Sequence, residues 1–276
     1  MRADLHAHSA HSDGSDTIER VVALAAECGV THLSVTDHDT VSHVEELREE
    51  GGKAGMATVS GIEISAFDPA TGRKVHVLGY GFSSTAAIRG LCDPVLRARE
   101  EATLGKIETL ARMGYPVSEE RVRKANGNPR TLYKQHIMKL LVDEGVSESV
   151  YGRPYRELFG KGGPCSGDIR YPDCREAVAA VAEDGGLAVL AHPGQQGILD
   201  LVPLLVDAGL RGIEFYHESH RLEDHKSILA FSARYGLFLT GGSDSHGSLG
   251  SVHRVGGITA PHSVFSSPLA ERFTLR

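Results

Sequence analysis

Long apolar runs are absent from this sequence of 276 residues, and those present, such as residues 187–191, are far shorter than the roughly 18 residues of a membrane span. The first residues, MRADLHAHSAHSDGSD, carry polar histidines where a signal peptide would have its apolar stretch. We therefore expect a cytoplasmic protein without a membrane partner.

Cysteine is scarce, and the four cysteines form no CxxC pair, which disfavours both a thiolate zinc site and a redox motif. Positive charge is also limited, since 29 Lys and Arg against 36 Asp and Glu give a net charge of −7. This balance disfavours a protein that binds long duplex nucleic acid through a basic surface. A glycine-rich P-loop is absent as well, so ATP-driven chemistry is not indicated.

Short apolar runs alternate with helical patterns, which predicts an α/β fold. The predicted strands are residues 2–6, 32–36, 57–59 together with 61–64, 74–80, 187–191, 212–215 and 237–240. A turn at residues 68–72 connects the third and fourth strands like a hairpin. Seven βα-like units favour a barrel of parallel strands over a sandwich.

The pattern changes between residues 83 and 164, where long helical stretches rich in Arg, Lys and Glu are predicted at 86–113, 118–125 and 131–144. We interpret residues 83–164 as a helical insertion over the active-site face. Residues 1–82 and 165–276 then form the barrel domain.

Fifteen histidines are present, and many lie with carboxylates at the ends of predicted strands. Parallel barrels place the C-terminal ends of their strands on one face, so these side chains are expected to meet there. The residues at the strand ends are His6, His8, Asp13, His38, Glu63, His76, His192, Asp244 and His246. The remaining histidines, except those considered below for substrate binding, are interpreted as ordinary surface or core residues: His11, His32, His43, His217, His225, His253 and His262.

The spacing of these groups favours metal binding. His6 and His8 are two residues apart, as are Asp244 and His246, so each pair can face one ion from an extended chain. Nitrogen and oxygen donors without sulfur suit zinc, manganese or iron. Nine groups exceed the three or four ligands of one zinc ion, which implies two or three divalent ions with Glu63 as the natural bridge.

The segments DLHAHSAHSDG, SVTDHDT, GIEIS, HVLGYGF, AVLAHPG, GIEFYHESH and TGGSDSHG occur in this order between Asp4 and Gly247. With them the sequence resembles the PHP (polymerase and histidinol phosphatase) phosphoesterases. The resemblance implies a distorted (β/α)7 barrel with a trinuclear metal centre. It assigns the first ion to His6, His8, Glu63 and Asp244, the second to Glu63, His76 and His192, and the third to Asp13, His38 and His246.

The expected nucleophile is a hydroxide that bridges the first two ions, because a bound metal lowers the pKa of water. Asp244 is expected to accept or shuttle a proton.

The resemblance is strongest to the branch of nucleoside 3′,5′-bisphosphate phosphatases and 5′-3′ exoribonucleases. That branch has an Arg-x-His pair where this chain has Lys134 and His136, so the planar grip of Arg on phosphate is lost, and Arg130 could compensate. Lys161 resembles the lysine of a Gly-Lys-Pro loop that reaches a substrate phosphate. His220 follows the sixth predicted strand and is expected to contact phosphate or to protonate the leaving group.

The predicted function is hydrolysis of a small phosphorylated substrate: a nucleotide bisphosphate, the 5′-phosphorylated end of a short RNA, or a cyclic phosphate. Three alternatives stay open at this point. They are a histidinol phosphate phosphatase, a hydrolase of C–N or C–O bonds of the amidohydrolase type, and a non-catalytic PHP module. The identity of the metal is equally open, because availability often decides it.

Overall fold

A computed structural model of the chain describes residues 1–250 and 253–275. Its strands are β1 (Ala3–Asp4), β2 (His32–Leu33), β3 (Ala57–Thr58), β4 (Gly61–Phe67), β5 (Lys74–Tyr80), β6 (Leu187–Leu190), β7 (Gly212–Tyr216) and β8 (Phe238–Gly241). Its α-helices are α1 (Ile18–Glu27), α2 (Val44–Lys53), α3 (Ala86–Arg112), α4 (Glu119–Ala125), α5 (Lys134–Asp143), α6 (Arg153–Phe159), α7 (Cys174–Glu183), α8 (Pro193–Gln196), α9 (Val202–Asp207) and α10 (Leu222–Tyr235).

The strands form two sheets. One has the order β1-β2-β3 with all pairs parallel, and the other has the order β4-β5-β6-β7-β8. Isolated parallel bridges, Ala7 with Ser245 and His38 with Glu63, connect the ends of the first sheet to the second. The protein thus has the expected α/β fold, but the described strands do not form a closed barrel and the (β/α)7 architecture is not confirmed.

Strand β5 confirms the hairpin-like connection predicted at residues 68–72, but it departs from the predicted barrel in which all strands are parallel. It pairs antiparallel with both β4 and β6, whereas β6, β7 and β8 are mutually parallel. The reason is the short connection after β4, because a parallel crossover needs a dozen residues or more. Asp68 closes this turn: it is buried, and its carboxylate accepts hydrogen bonds from the backbone amides of Ala70 and Thr71.

The two pieces of the third predicted strand, residues 57–59 and 61–64, are in fact separate strands in different sheets. The first piece is β3 in the small sheet, and the second piece is β4 in the large one. The chain changes sheets before Gly61, which is buried against the backbone of the segment after β2.

Two main apolar cores lie under these elements. The larger packs β4 to β7 against α7, α9 and α10, and it includes Ile62, Val178 and Ile213. The helices between residues 86 and 159 bury a cluster of their own, with Leu110 and Leu141 fully buried. That residues 83–164 form an insertion stays a prediction, which this second core supports. No helix in the described part of the chain is long and apolar enough to span a membrane.

Replacement of Gly61 by Ala is expected to destabilise the fold. A Cβ atom there would lie 2.2 Å from Ser34 Oγ and 2.5 Å from the Val35 carbonyl oxygen, and the backbone atom cannot easily move away. We expect a loss of about 1–3 kcal/mol in the free energy of unfolding, measured by urea denaturation. Gly90→Ala is the matched control, because Gly90 is exposed on α3 with nothing within 4 Å of the added carbon. This control should gain up to about 1 kcal/mol, and equal stability of the two variants would contradict the packing argument.

Candidate metal centre

The loops that follow β1 and β8 lie side by side. The backbone amide of Asp244 donates to the carbonyl oxygen of His6 at 2.7 Å, and that of His8 donates to the carbonyl oxygen of Ser245 at 2.8 Å. These two bonds bring together side chains from opposite ends of the sequence. Asp244 adopts a positive φ of 49°, which is uncommon for a residue with a side chain.

One cluster of possible ligand atoms belongs to His6, His8, Glu63 and Asp244, whose atoms all lie within 4.8 Å of one another. Glu63 Oε2 is 3.2 Å from His6 Nε2 and 3.1 Å from His8 Nε2. Asp244 Oδ1 is 3.3 Å and 3.1 Å from the same two nitrogens. This is the set that the resemblance assigned to the first ion.

The other oxygen of Glu63 faces a second group of histidines. Glu63 Oε1 lies 2.7 Å from His76 Nδ1 and 2.8 Å from His192 Nε2. His38 also approaches this carboxylate, with its Nδ1 at 3.4 Å from Oε2, and it forms a compact group with Glu63 and His76. The Glu63 carboxylate therefore lies between two sets of donors, as a bridging ligand does.

A third group consists of His8, Asp13, His38 and His246. Asp13 Oδ1 is 3.4 Å from His246 Nε2, and the rings of His8 and His246 stack with their centroids 4.0 Å apart. His38 belongs to this group as well as to the one around Glu63. All nine residues predicted from the sequence thus lie in one connected centre.

The chemistry of this donor set fits metal ions. Several atoms that normally accept or donate hydrogen bonds are buried and have no hydrogen-bond partner among the described residues: His8 Nδ1 and Nε2, His38 Nδ1, His192 Nδ1 and Asp244 Oδ1. Buried polar atoms without partners cost free energy unless another group satisfies them. Divalent cations would satisfy the imidazole nitrogens and carboxylate oxygens that face each other here.

The charge of the centre also favours cations. Burial would raise the pKa of Glu63, but the imidazoles of His38, His76 and His6 hold the pKa of this carboxyl well below its usual range. Burial lowers the pKa of His38 to about 4, so this ring is neutral at pH 7. In contrast, Asp244 and Glu63 outweigh burial at His8 and raise its pKa to about 10. Ionised carboxylates thus create a field that stabilises positive charge, whether from protons or from metal ions.

Comparison with family models gives a match to the PHP domain over residues 4–148, which includes six of the nine residues, from His6 to His76. The chain belongs to the PHP domain family. This confirms the resemblance that the sequence motifs indicated.

Relatives of this PHP protein agree with the match. The phosphoribosyl 1,2-cyclic phosphate 1,2-diphosphodiesterase of Eggerthella lenta is 47% identical over 93% of this chain and 98% of the relative. The 3′,5′-nucleoside bisphosphate phosphatase of Chromobacterium violaceum is 29% identical over 88% of this chain and 86% of the relative. The crystal structure of a candidate metal-dependent phosphoesterase from Bifidobacterium adolescentis superposes with a TM-score of 0.88 at 26% identity, over 98% of this chain and 96% of that one.

Sequence reasoning overlooked Glu214, which supports two residues of the PHP centre. This fully buried residue lies within β7, and its Oε1 accepts a hydrogen bond from His6 Nδ1 at 2.9 Å. Its Oε2 accepts a hydrogen bond from the backbone amide of His192 at 2.7 Å, where φ is +21°. A carboxylate that binds Nδ1–H of an imidazole leaves Nε2 free for a metal. The GIEF segment was visible in the sequence, but Glu214 precedes the end of its strand and was not selected.

Glu214→Gln is expected to lower the metal content of the purified PHP protein. A glutamine side chain has one oxygen where Glu214 has two, so it can replace only one of the two acceptors. Either the ring N–H of His6 or the backbone N–H of His192 then loses its hydrogen-bond acceptor. Loss of such a partner typically weakens metal affinity by about 10- to 100-fold. Elemental analysis of protein dialysed against limiting metal measures the effect, with Glu223→Gln on the exposed face of α10 as the control. Equal metal content in both variants would contradict this role.

The interpretation of His217 as an ordinary histidine also overlooked a contact. The side chain is 1% exposed, and its Nε2 lies 3.2 Å from Asp244 Oδ2. On the other side of the ring, Nδ1 pairs with the hydroxyl of Ser219 at 2.8 Å.

His220, which was predicted to bind substrate, bonds to the backbone with both ring nitrogens. Its Nδ1 donates to the carbonyl oxygen of Phe215, and its Nε2 accepts from the backbone amide of Gly194.

A cavity of about 190 Å³ opens beside Asp13, His38 and His76. Basic and aromatic side chains form much of the remaining wall: Lys74, Arg99, Lys106, Lys134, Tyr133, Tyr155 and Tyr171. Of the residues predicted to bind substrate, only Lys134 is part of this wall. Arg130 and Lys161 are exposed and lie outside it.

His136, also predicted to bind substrate, is buried at the start of α5, where its Nδ1 accepts a hydrogen bond from the backbone amide of Tyr133 at 3.2 Å. The roles proposed for Arg130, His136, Lys161 and His220 thus stay predictions.

The burial of His136 predicts a pH-dependent stability. Burial lowers its pKa from 6.5 to about 4, so the unfolded chain takes up a proton below pH 6.5 that the folded protein does not. The free energy of unfolding should therefore fall as the pH decreases from 6.5 towards 4. His136→Gln should reduce this slope by up to about 1.4 kcal/mol per pH unit. Urea denaturation of metal-free protein across this range tests the prediction. The exposed His262→Gln should keep the wild-type slope, and an unchanged slope in His136→Gln would contradict it.

Proposed function

We propose that this PHP protein is a metal-dependent phosphoesterase that hydrolyses a small phosphorylated substrate. The observation that carries the proposal is the direct contact between the nine-residue centre and a cavity lined by four basic side chains. Cations on both sides of a cavity suit the anionic oxygens of a phosphoester. An uncharged substrate with a C–N or C–O bond would not pair with these basic side chains, whereas a phosphoester would.

The first candidate substrate is the cyclic phosphate diester of a phosphorylated sugar. It is favoured by the 47% identity, over nearly the whole of both chains, to a relative named for phosphoribosyl 1,2-cyclic phosphate. The second candidate is a nucleoside 3′,5′-bisphosphate, which is supported by the more distant relative at 29% identity. A short RNA with a 5′-phosphate is the third member of the same class. These relatives do not favour histidinol phosphate.

We propose that the centre holds two or three divalent ions of manganese, zinc or iron. The three overlapping groups of ligand atoms support up to three positions, and the donor set suits all three metals. When bound, such ions lower the pKa of water and neutralise phosphoryl oxygens, which is the chemistry that phosphoester hydrolysis needs. The group of His6, His8, Glu63 and Asp244 is the set that the PHP resemblance implied for the first ion. The other two groups differ from the implied sets, because His38 takes the place of His192 beside Glu63 and His76, and His8 joins Asp13, His38 and His246.

The chain itself supplies positioning and proton transfer. Glu63 holds the two halves of the centre at a fixed separation, because both of its oxygens are engaged. Asp244 Oδ1 faces His6 and His8, while Oδ2 contacts His217 Nε2. We infer that Asp244 accepts a proton during hydrolysis and that His217 is the neighbour to which it passes. For His220 we keep the proposal that it contacts the phosphate or protonates the leaving group.

Removal of metal by a chelator should abolish hydrolysis. The substitutions His38→Ala and Asp244→Asn should each lower kcat/KM by at least about 100-fold, because groups that position ions or move protons typically contribute a factor of about 10²–10⁴ to the rate. Product formation is measured by phosphorus NMR, which detects opening of a cyclic diester as well as release of phosphate. His262→Ala, at an exposed position outside the centre, is the control. Turnover near that of the wild type in both centre variants would reject the assignment.

A substrate panel separates the competing functions. It contains a phosphoribosyl cyclic phosphate, a nucleoside 3′,5′-bisphosphate, a 5′-phosphorylated oligoribonucleotide, histidinol phosphate and an amide. Preference for either of the first two supports the proposal. Preference for the amide favours the amidohydrolase alternative, and metal-loaded protein that is inert on every member indicates a non-catalytic PHP module.

A further inference from the structure

We propose that the cavity beside the metal centre binds a second phosphate group, one that is not cleaved, through Arg99, Lys106 and Lys134. The inference rests on the proposed function, because it assigns residues to the uncleaved phosphate that the first two candidate substrates share. None of the sequence motifs pointed to Arg99 or Lys106.

Arg99 is held in place before any ligand arrives. Its Nη2 donates to Asp39 Oδ2 at 2.6 Å and to Ser65 Oγ at 3.1 Å, and its side chain is only 14% exposed. The guanidinium lies over the rings of Tyr133 and Tyr171, with its central carbon 4.8 Å and 5.6 Å from the ring centroids. A rigid guanidinium of this kind loses little entropy when it binds an anion.

Arg99 also has one hydrogen-bond donor without an acceptor among the described residues. Its Nε is buried and has no hydrogen-bond partner among the described residues. Because a buried N–H without a partner is costly, an acceptor from a ligand would be stabilised at this position. Phosphate oxygens match the geometry of a guanidinium particularly well.

Two lysines add charge that the protein does not neutralise by direct pairing. Lys74 pairs with Asp168 at 2.6 Å, but neither Lys106 nor Lys134 makes an ion pair within 4 Å in the described part of the chain. Both are half-buried in the cavity wall. Burial lowers the pKa of Lys134, and the neighbouring cations Lys74, Lys106 and Arg99 act in the same direction against Asp168. A bound anion would relieve this repulsion.

The ligand class follows from the number of charges. One guanidinium with a free donor and two unpaired ammonium groups suit a dianion better than a single carboxylate. The cleaved phosphate belongs at the centre, and Asp13, His38 and His76 border the same cavity of about 190 Å³. A compact spacer such as a pentose would therefore connect the two phosphates, and Tyr155 and Tyr171 lie in the wall of the cavity that it would occupy.

Substrate discrimination tests the subsite. The pair is phosphoribosyl 1,2-cyclic phosphate and ribosyl 1,2-cyclic phosphate, which differ by the second phosphate. We expect Lys106→Gln, Lys134→Gln and Arg99→Lys each to reduce the ratio of the two kcat/KM values by at least about 10-fold, as for loss of a charge-assisted contact. Lys124→Gln, an exposed substitution on α4, should keep the wild-type ratio. An unchanged ratio in the two glutamine variants would overturn the proposal, even if Arg99→Lys fails to fold.

A binding measurement separates this proposal from the proposed function. Inorganic phosphate is titrated into metal-free protein by calorimetry, so that hydrolysis plays no part. Weaker binding in Lys106→Gln and Lys134→Gln than in Lys124→Gln supports the subsite, including the case in which the protein hydrolyses neither substrate and the proposed function fails. Equal phosphate binding in all variants, with hydrolysis intact, overturns the subsite and leaves the phosphoesterase function standing.

Discussion

One buried carboxylate organises this protein. Glu63 lies within 3.4 Å of five imidazoles, those of His6, His8, His38, His76 and His192, and it is 1% exposed. A carboxylate removed from water is costly unless positive groups or metal ions surround it. The backbone bridge between His38 and Glu63 also connects the two sheets at this point. The arrangement of the sheets and the assembly of the centre are therefore consequences of the same constraint.

The grouping of the nine residues of the candidate metal centre could be predicted because the signal is local. Each lies in or just after a short strand, and polar groups at such positions rarely serve packing alone. The α/β class and the long helix near residues 86–113 followed from periodicity in the same way, and the structure places that helix at Ala86–Arg112. The hairpin-like turn predicted the antiparallel pairing of β4 and β5, but the antiparallel pairing of β5 with β6 was not predicted.

The substrate-side residues could not be predicted so well. Lys161 was chosen for its resemblance to a family position and Arg130 as a cation that compensates for Lys134, yet both are exposed outside the cavity. Arg99 and Lys106 sit in a helical segment whose charges look like those of any solvated face. Which of these side chains turns inward depends on how α3 packs, and sequence spacing alone does not contain that information. Glu214 was not predicted for a related reason, because its hydrogen-bond partners His6 and His192 are distant from it in sequence.

The reversed direction of β5 decides where the next helix can start. β5 starts at Lys74, passes the centre at His76 and ends at Tyr80, which pairs with Gly61 and Leu187. The chain must then travel back, and α3, with 27 residues, is about 40 Å long. Arg99, 13 positions after Ala86, comes level with the candidate metal centre about 20 Å along this return path. If β5 ran in the opposite direction, α3 would start beside the centre, and Arg99 would lie about 20 Å away from it.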